Sequence, residues 1–106
     1  MIITDQNYSK EIDKCKTLII LDFYAPWCNP CKLITPIIEE ISKIYENKLT
    51  IFKINVDNCP DMAQQYNIMS IPTIIFMDIN KKIVNQLTGF HNKEEIMKGV
   101  YEITKN

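Results

Sequence analysis

Two rhythms of apolar residues dominate the first half of the chain. Thr17 to Tyr24 is a dense apolar run interrupted by Asp22, the mark of a strand covered on both faces. From about Pro30 to Tyr45, Ile34, Ile37, Ile38, Ile41 and Tyr45 recur at the spacing of a long amphipathic helix. Asn29 suits the N-cap of that helix, and Pro30 suits its first position, where a missing N–H costs nothing. Pro36, inside the helix, removes a backbone bond and predicts a kink.

The flanking segments extend the pattern. Ile2-Ile3 reads as a short edge strand, and Tyr8, Ile12 and Cys15 fall on one face of a first helix. Leu49 to Val56 predicts a further strand, and Pro60 with Asp61 opens a short helix ending near Tyr66. Thr73 to Met77 and Lys82 to Thr88 are strands joined by the turn Asp78-Ile79-Asn80-Lys81, in which Asn80 takes the left-handed place that Gly often fills. Asn92 caps a last helix, with Glu95 completing a capping box and Ile96, Met97, Val100 and Ile103 on its inner face. The order is βαβαβαββα. It predicts an α/β fold with a central mixed five-stranded sheet flanked by four helices, parallel across the first crossovers and antiparallel at the hairpin.

Length and charge narrow the choices. The 106 residues suffice for one domain, residues 1–106, of ordinary globular composition. All twelve basic residues are Lys and the net charge is −1, so no basic stripe awaits a phosphate backbone, and nucleic acid is not an expected partner. No signal peptide is apparent, and the longest early apolar run, Leu18 to Leu21, is too short for a membrane. The expected compartment is therefore the reducing cytoplasm. There, four cysteines imply reactive, metal-binding or buried thiols rather than a disulfide framework.

Their spacing points to reactivity. Cys28 and Cys31 stand where a buried strand gives way to a helix, so both sulfurs fall on its first turn. The helix dipole and unpaired N–H groups there stabilise a thiolate. Cys28, at the exposed lip, is the expected nucleophile. Cys31, one turn in, is shielded yet near enough to resolve a mixed disulfide on Cys28. Asp22, in an apolar strand, would be desolvated and its carboxyl pushed upward.

The run Asp22-Phe23-Tyr24-Ala25-Pro26-Trp27-Cys28-Asn29-Pro30-Cys31-Lys32 resembles the active-site segment of thioredoxins. Pro36, Lys53, Ile71-Pro72-Thr73 and Gly89 continue the likeness in order along essentially the whole chain. The resemblance implies the thioredoxin fold and reduction of client disulfides through a reversible Cys28–Cys31 disulfide with no bound cofactor. It gives Asp22 the role of assisting proton transfer at Cys31 and Lys53 that of modulating Asp22. It also makes Pro72 cis, with Ile71 offering backbone groups to an extended client segment and Trp27, Asn29, Pro30 and Gly89 completing the contact surface. The implied partners are an NADPH-dependent thioredoxin reductase and clients such as ribonucleotide reductase, peroxiredoxins or methionine sulfoxide reductases, met by a monomer.

The chain departs from the family pattern at Asn29, where Gly is usual, and Asn can cap N–H groups otherwise open to the thiolate. Other readings fit parts of the same sequence: an interaction module built on the Trp27 patch, a more oxidising isomerase-like protein, or a zinc site gathering Cys15, Cys28, Cys31 and Cys59. Trp27 is also readable as a core aromatic. Cys59 is either a regulatory thiol at a helix start or a partly buried one, Cys15 reads as core, and His91 as a solvated loop residue.

Overall fold

A computed structural model describes residues 2–105. Its elements are α1 (Tyr8–Lys14), β1 (Leu18–Tyr24), α2 (Asn29–Ile44), β2 (Leu49–Asn55), α3 (Pro60–Gln65), β3 (Thr73–Met77), β4 (Ile83–Thr88) and α4 (Lys93–Thr104). The strands form one mixed sheet in the order β2-β1-β3-β4. β1 and β2 run parallel, while β3 is antiparallel to both of its neighbours, β1 and β4.

The apolar runs explain this layout. β1 alternates sides, sending Ile19, Leu21 and Phe23 to a core shared with Ile12 of α1 and Met62 of α3. Ile20 goes to the other core, made with Ile34, Ile38 and Ile41 of α2 and Ile96, Val100 and Ile103 of α4. Every residue of β3 is buried, as its apolar run Thr73–Met77 requires. Asp22 shares the parity of Ile20, so the pleat turns it toward the α2 side of the sheet. At Gly99 the last helix comes so close to the sheet that a Cβ would stand 2.6 Å from Cε1 of Phe76.

Three expectations need correction. The sheet has four strands among the described residues, not five, because the Ile2-Ile3 segment is not a strand. Its backbone is engaged otherwise: Asn7 Nδ2 donates to Ile2 O at 2.9 Å, and Cys59 Sγ donates to Ile3 O at 3.4 Å. Ile3 still enters the core, but as an anchor for the chain leading into α1. With that strand gone, the parallel part shrinks to the single pair β1–β2.

The left-handed residue of the β3–β4 turn is Lys81, with φ of 69°, and not Asn80. The Asp78 carboxylate fixes this choice by accepting from Asn80 N at 2.9 Å and Lys82 N at 3.0 Å. Beyond the turn, Phe76 faces Asn85 and Met77 faces Ile83, leaving Val84 as the extra residue of a bulge.

The third correction lies at the start of α2. Its N-cap is Cys28, in extended conformation, and Asn29 is the first helical residue. The sulfur serves as the capping acceptor. At α4 the expected capping box is present in both directions between Asn92 and Glu95.

Candidate active site

The strand β1 ends at Tyr24, and the short link Ala25-Pro26-Trp27 delivers the chain to α2 with Cys28 at its mouth. Cys28 N donates to Ala25 O at 3.1 Å, which holds this link as a turn. Cys28 and Cys31 are joined as a disulfide with Cα atoms 5.3 Å apart, inside the range the bond demands. Cys31 N–H donates to Cys28 Sγ at 3.3 Å. The reverse relation is absent because Cys28 N–H is already given to Ala25 O, so of the two sulfurs only that of Cys28 accepts its partner's amide.

Exposure does not distinguish them. Each is 5% exposed, which corrects the expectation of an open Cys28 beside a shielded Cys31. Both pack with Ala25 in a small cluster walled by Tyr24, Val56 and Ile71.

Below the helix, Asp22 is 3% exposed. Its partner in the β1–β2 register is Lys53, whose Nζ lies 3.6 Å from Asp22 Oδ2. Burial pushes the Asp22 carboxyl above the usual carboxylate range, and the Lys53 charge opposes that push without cancelling it. Lys53 Nζ also lies 4.7 Å from the centroid of the Tyr24 ring and 3.5 Å from Thr35 Oγ1, to which it donates. Strand β1, strand β2 and helix α2 therefore all fix the position of this one ammonium.

Beside the disulfide, the Ile71–Pro72 peptide bond is cis, as the family resemblance implied. Gly89 N donates to Pro72 O at 2.8 Å, and Gly89 holds φ of 83° with open space where a Cβ would stand. Glycine is the residue that adopts this conformation without strain. Trp27 is 68% exposed, so it is not a core aromatic, and its Nε1 donates to Asp57 Oδ2 at 3.0 Å. Asn29 and Pro30 are exposed at the first turn of α2.

The sequence reading thus named most of what converges here. It missed Asp57, which lies 30 residues from Trp27 and forms no motif with it. It also missed Val56 and the run Ile68-Met69-Ser70, which with Trp27 and Ile71 line a groove beside the disulfide. Two apolar residues that obey neither helical nor strand period, placed just before Ile71-Pro72, were the available signal.

The remaining singletons resolve differently. Cys59 is fully buried and packs in the core, and burial followed by the Asp5 charge pushes its thiol up. That environment contradicts a reactive thiol. Cys15 caps the end of α1 and is half-buried. Burial works to raise its thiol, but bonds with Thr17 and Thr50 leave it below the ordinary value. His91 is not merely solvated, since its ring bridges Glu95 Oε2 at 3.1 Å and Thr88 O at 3.2 Å. The four cysteines do not gather: two form the disulfide and two are free. Among the described residues, no group of three or more His, Cys, Asp or Glu is arranged to hold a metal ion. Nor is any helix there long and apolar enough to cross a membrane.

The thioredoxin family model matches residues 1–102. The chain belongs to the thioredoxin family. Among its relatives is the thioredoxin of Buchnera aphidicola subsp. Acyrthosiphon pisum (strain APS), 40% identical over 94 residues that cover 89% of this chain and 86% of the relative. The thioredoxin of Rickettsia bellii (strain RML369-C) is 37% identical over 98 residues, 92% of each chain. Thioredoxin 2 of Chlorobaculum tepidum is 42% identical over 99 residues, 93% of this chain and 90% of its own. As a thioredoxin-family protein with its Cys28–Cys31 pair at disulfide distance, the chain is a thiol-disulfide oxidoreductase of the protein-disulfide reductase type.

Proposed function

We propose that Cys28 opens the exchange and Cys31 closes it, with Asp22 as the proton acceptor. The Cys28 thiolate attacks one sulfur of a client disulfide, forming a mixed disulfide and expelling a client thiolate that takes up a proton. Asp22 accepts the proton that the Cys31 thiol loses, and the Cys31 thiolate attacks Cys28 Sγ. The Cys28–Cys31 disulfide forms, the second client thiolate leaves, and two electrons have passed to the client.

The assignment of Cys28 is carried by the bond from Cys31 N–H to Cys28 Sγ, since a backbone donor at a helix start stabilises a thiolate. Asp22 as base is supported by its burial and raised proton affinity, which bring a carboxyl nearer to the working pH. Lys53 sets how far that rise goes. Ile71, packed against the disulfide, offers its backbone to an extended client segment in the manner of an added strand, with Trp27, Asn29, Pro30, Pro72 and Gly89 completing the contact surface.

In this reading the protein is a single-domain cytoplasmic monomer that needs no bound cofactor. A thioredoxin reductase drawing on NADPH restores the dithiol, and ribonucleotide reductase, peroxiredoxins and methionine sulfoxide reductases are the client types that fit. The direct test is the reduction of insulin disulfides, followed by precipitation of the freed chains. The wild type is active and Cys28→Ser is inert; activity in Cys28→Ser removes Cys28 from the role of nucleophile.

A further inference from the structure

One turn past Cys31 on α2, the half-buried side chain of Thr35 joins the helix that carries the cysteines to the charge pair beneath it. Its hydroxyl donates to Cys31 O at 3.2 Å and accepts from Lys53 Nζ at 3.5 Å. A hydroxyl has one proton to give. The bond back to the carbonyl four residues earlier takes that proton, and the lone pairs of Oγ1 are left for the ammonium.

The Lys53 ammonium has somewhere else to go. Its side chain is 40% exposed, and Glu39, one turn beyond Thr35, lines a groove with Lys53 and Lys43. A carboxylate there competes with Asp22 for the ammonium. Tyr24 of β1 meets the ammonium only through the face of its ring. On the other side of Asp22, the register partner on β3 is Ile74, which brings no charge. Asp22 thus depends on one mobile cation, and Thr35 is placed to keep that cation near.

Building on the reading of Asp22 as proton acceptor, we propose that Thr35 is a positioning residue whose hydroxyl holds the Lys53 ammonium against Asp22 and so sets how readily that carboxyl takes a proton. The direction follows from charge. Held at 3.6 Å, the ammonium favours the carboxylate; released toward water or Glu39, it leaves burial to act alone, and the carboxyl rises further. The turn of α2 that bears the resolving cysteine then governs its own proton acceptor through two hydrogen bonds.

Carbon-13 NMR of the Asp22 carboxyl in the disulfide form, titrated with pH, tests this. The midpoint in Thr35→Val should lie above that of the wild type by roughly half a pH unit, the scale of one net hydrogen bond. Thr35→Ser, which keeps the hydroxyl, should titrate like the wild type. On a Lys53→Met background Thr35→Val should add no shift, because the ammonium it positions is gone. An unmoved midpoint in Thr35→Val, the same rise in Thr35→Ser, or an equal rise without Lys53 overturns the inference. The acid limb of kcat/KM for insulin separates it from the reading beneath it. In Thr35→Val that limb should follow the midpoint; a limb that stays while the midpoint moves removes Asp22 from the proton-acceptor role and leaves the hold of Thr35 on the carboxyl intact.

Discussion

Lys53 Nζ lies 3.6 Å from the carboxylate of Asp22, directly across the parallel register of β1 and β2. The pair is unequal, since Asp22 is buried on the α2 side of the sheet while Lys53 reaches solvent at its head. Desolvation raises the carboxyl and the ammonium restrains it. The residual rise suits the proton-acceptor role proposed for Asp22.

Replacing Lys53 by Met therefore raises the Asp22 carboxyl further, because burial remains and the attraction is gone. With Asp22 as the proposed proton acceptor, the rate of client reduction should grow with pH as it ionises, and the acid limb of the pH–rate profile should move to higher pH in Lys53→Met. Profiles of kcat/KM for the two proteins check this. An unmoved limb would show that Asp22 does not feel Lys53 during the reaction.

Asp22 also carries a stability cost with a definite sign. Its proton affinity is higher folded than unfolded, so the contribution of the protonated group to stability is complete at low pH and is lost as pH rises through the folded value. Asp22→Asn should consequently melt higher than the wild type at neutral pH and lose that advantage in acid, below the usual carboxylate range. The same variant should reduce insulin more slowly. Melting curves across pH, paired with insulin turbidity, measure both.

Most of this arrangement was legible in the chain because it rests on local rules. The cysteine pair at a strand-to-helix junction, the odd carboxylate in an apolar strand and the Asn92–Glu95 capping box each announce themselves within a few residues. What escaped depends on distance or on competition between groups. Ile2-Ile3 has the composition of a strand, but Asn7 and Cys59 capture its carbonyls. Asn29 has the better side chain for a cap, but Cys28, one residue earlier, holds the extended backbone that places its sulfur on Cys31 N–H. Lys81 rather than Asn80 turns left-handed because Asp78 has already claimed the amides of Asn80 and Lys82. The Trp27–Asp57 bond joins two loops that no periodicity links.

That last bond predicts a binding effect. Asp57→Ala frees the indole of the chain's single tryptophan, and a charge-assisted bond at the surface is worth on the order of 1 kcal/mol. KM for protein clients should rise about fivefold with kcat nearly unchanged, and the Trp27 fluorescence should shift with it. Steady-state kinetics and emission spectra on the same samples provide the check.

The cap of α4 can be tested without touching the redox centre. Asn92→Ala removes the acceptor for Glu95 N and should cost about 1 kcal/mol, lowering the melting temperature by roughly 4–8 °C in a domain of this size. Glu95, held below the usual carboxylate range by the Asn92 backbone and then by His91, contributes stability above its unfolded value that is lost as pH falls through the folded one. Glu95→Gln should therefore destabilise at neutral pH and make no difference in strong acid, as thermal denaturation at the two pH values will show.

The division of labour between the two sulfurs is the centre of the account, and covalent trapping examines it most directly. Each single-cysteine variant, Cys31→Ser and Cys28→Ser, is mixed with a disulfide client and the adducts are followed by mass spectrometry. Cys31→Ser should accumulate a mixed disulfide at Cys28, because the attack proceeds and its resolution does not, while Cys28→Ser stays unmodified over the same time. An adduct at Cys31 forming in Cys28→Ser as fast as the one at Cys28 would contradict the claim that the Cys31 amide singles out Cys28.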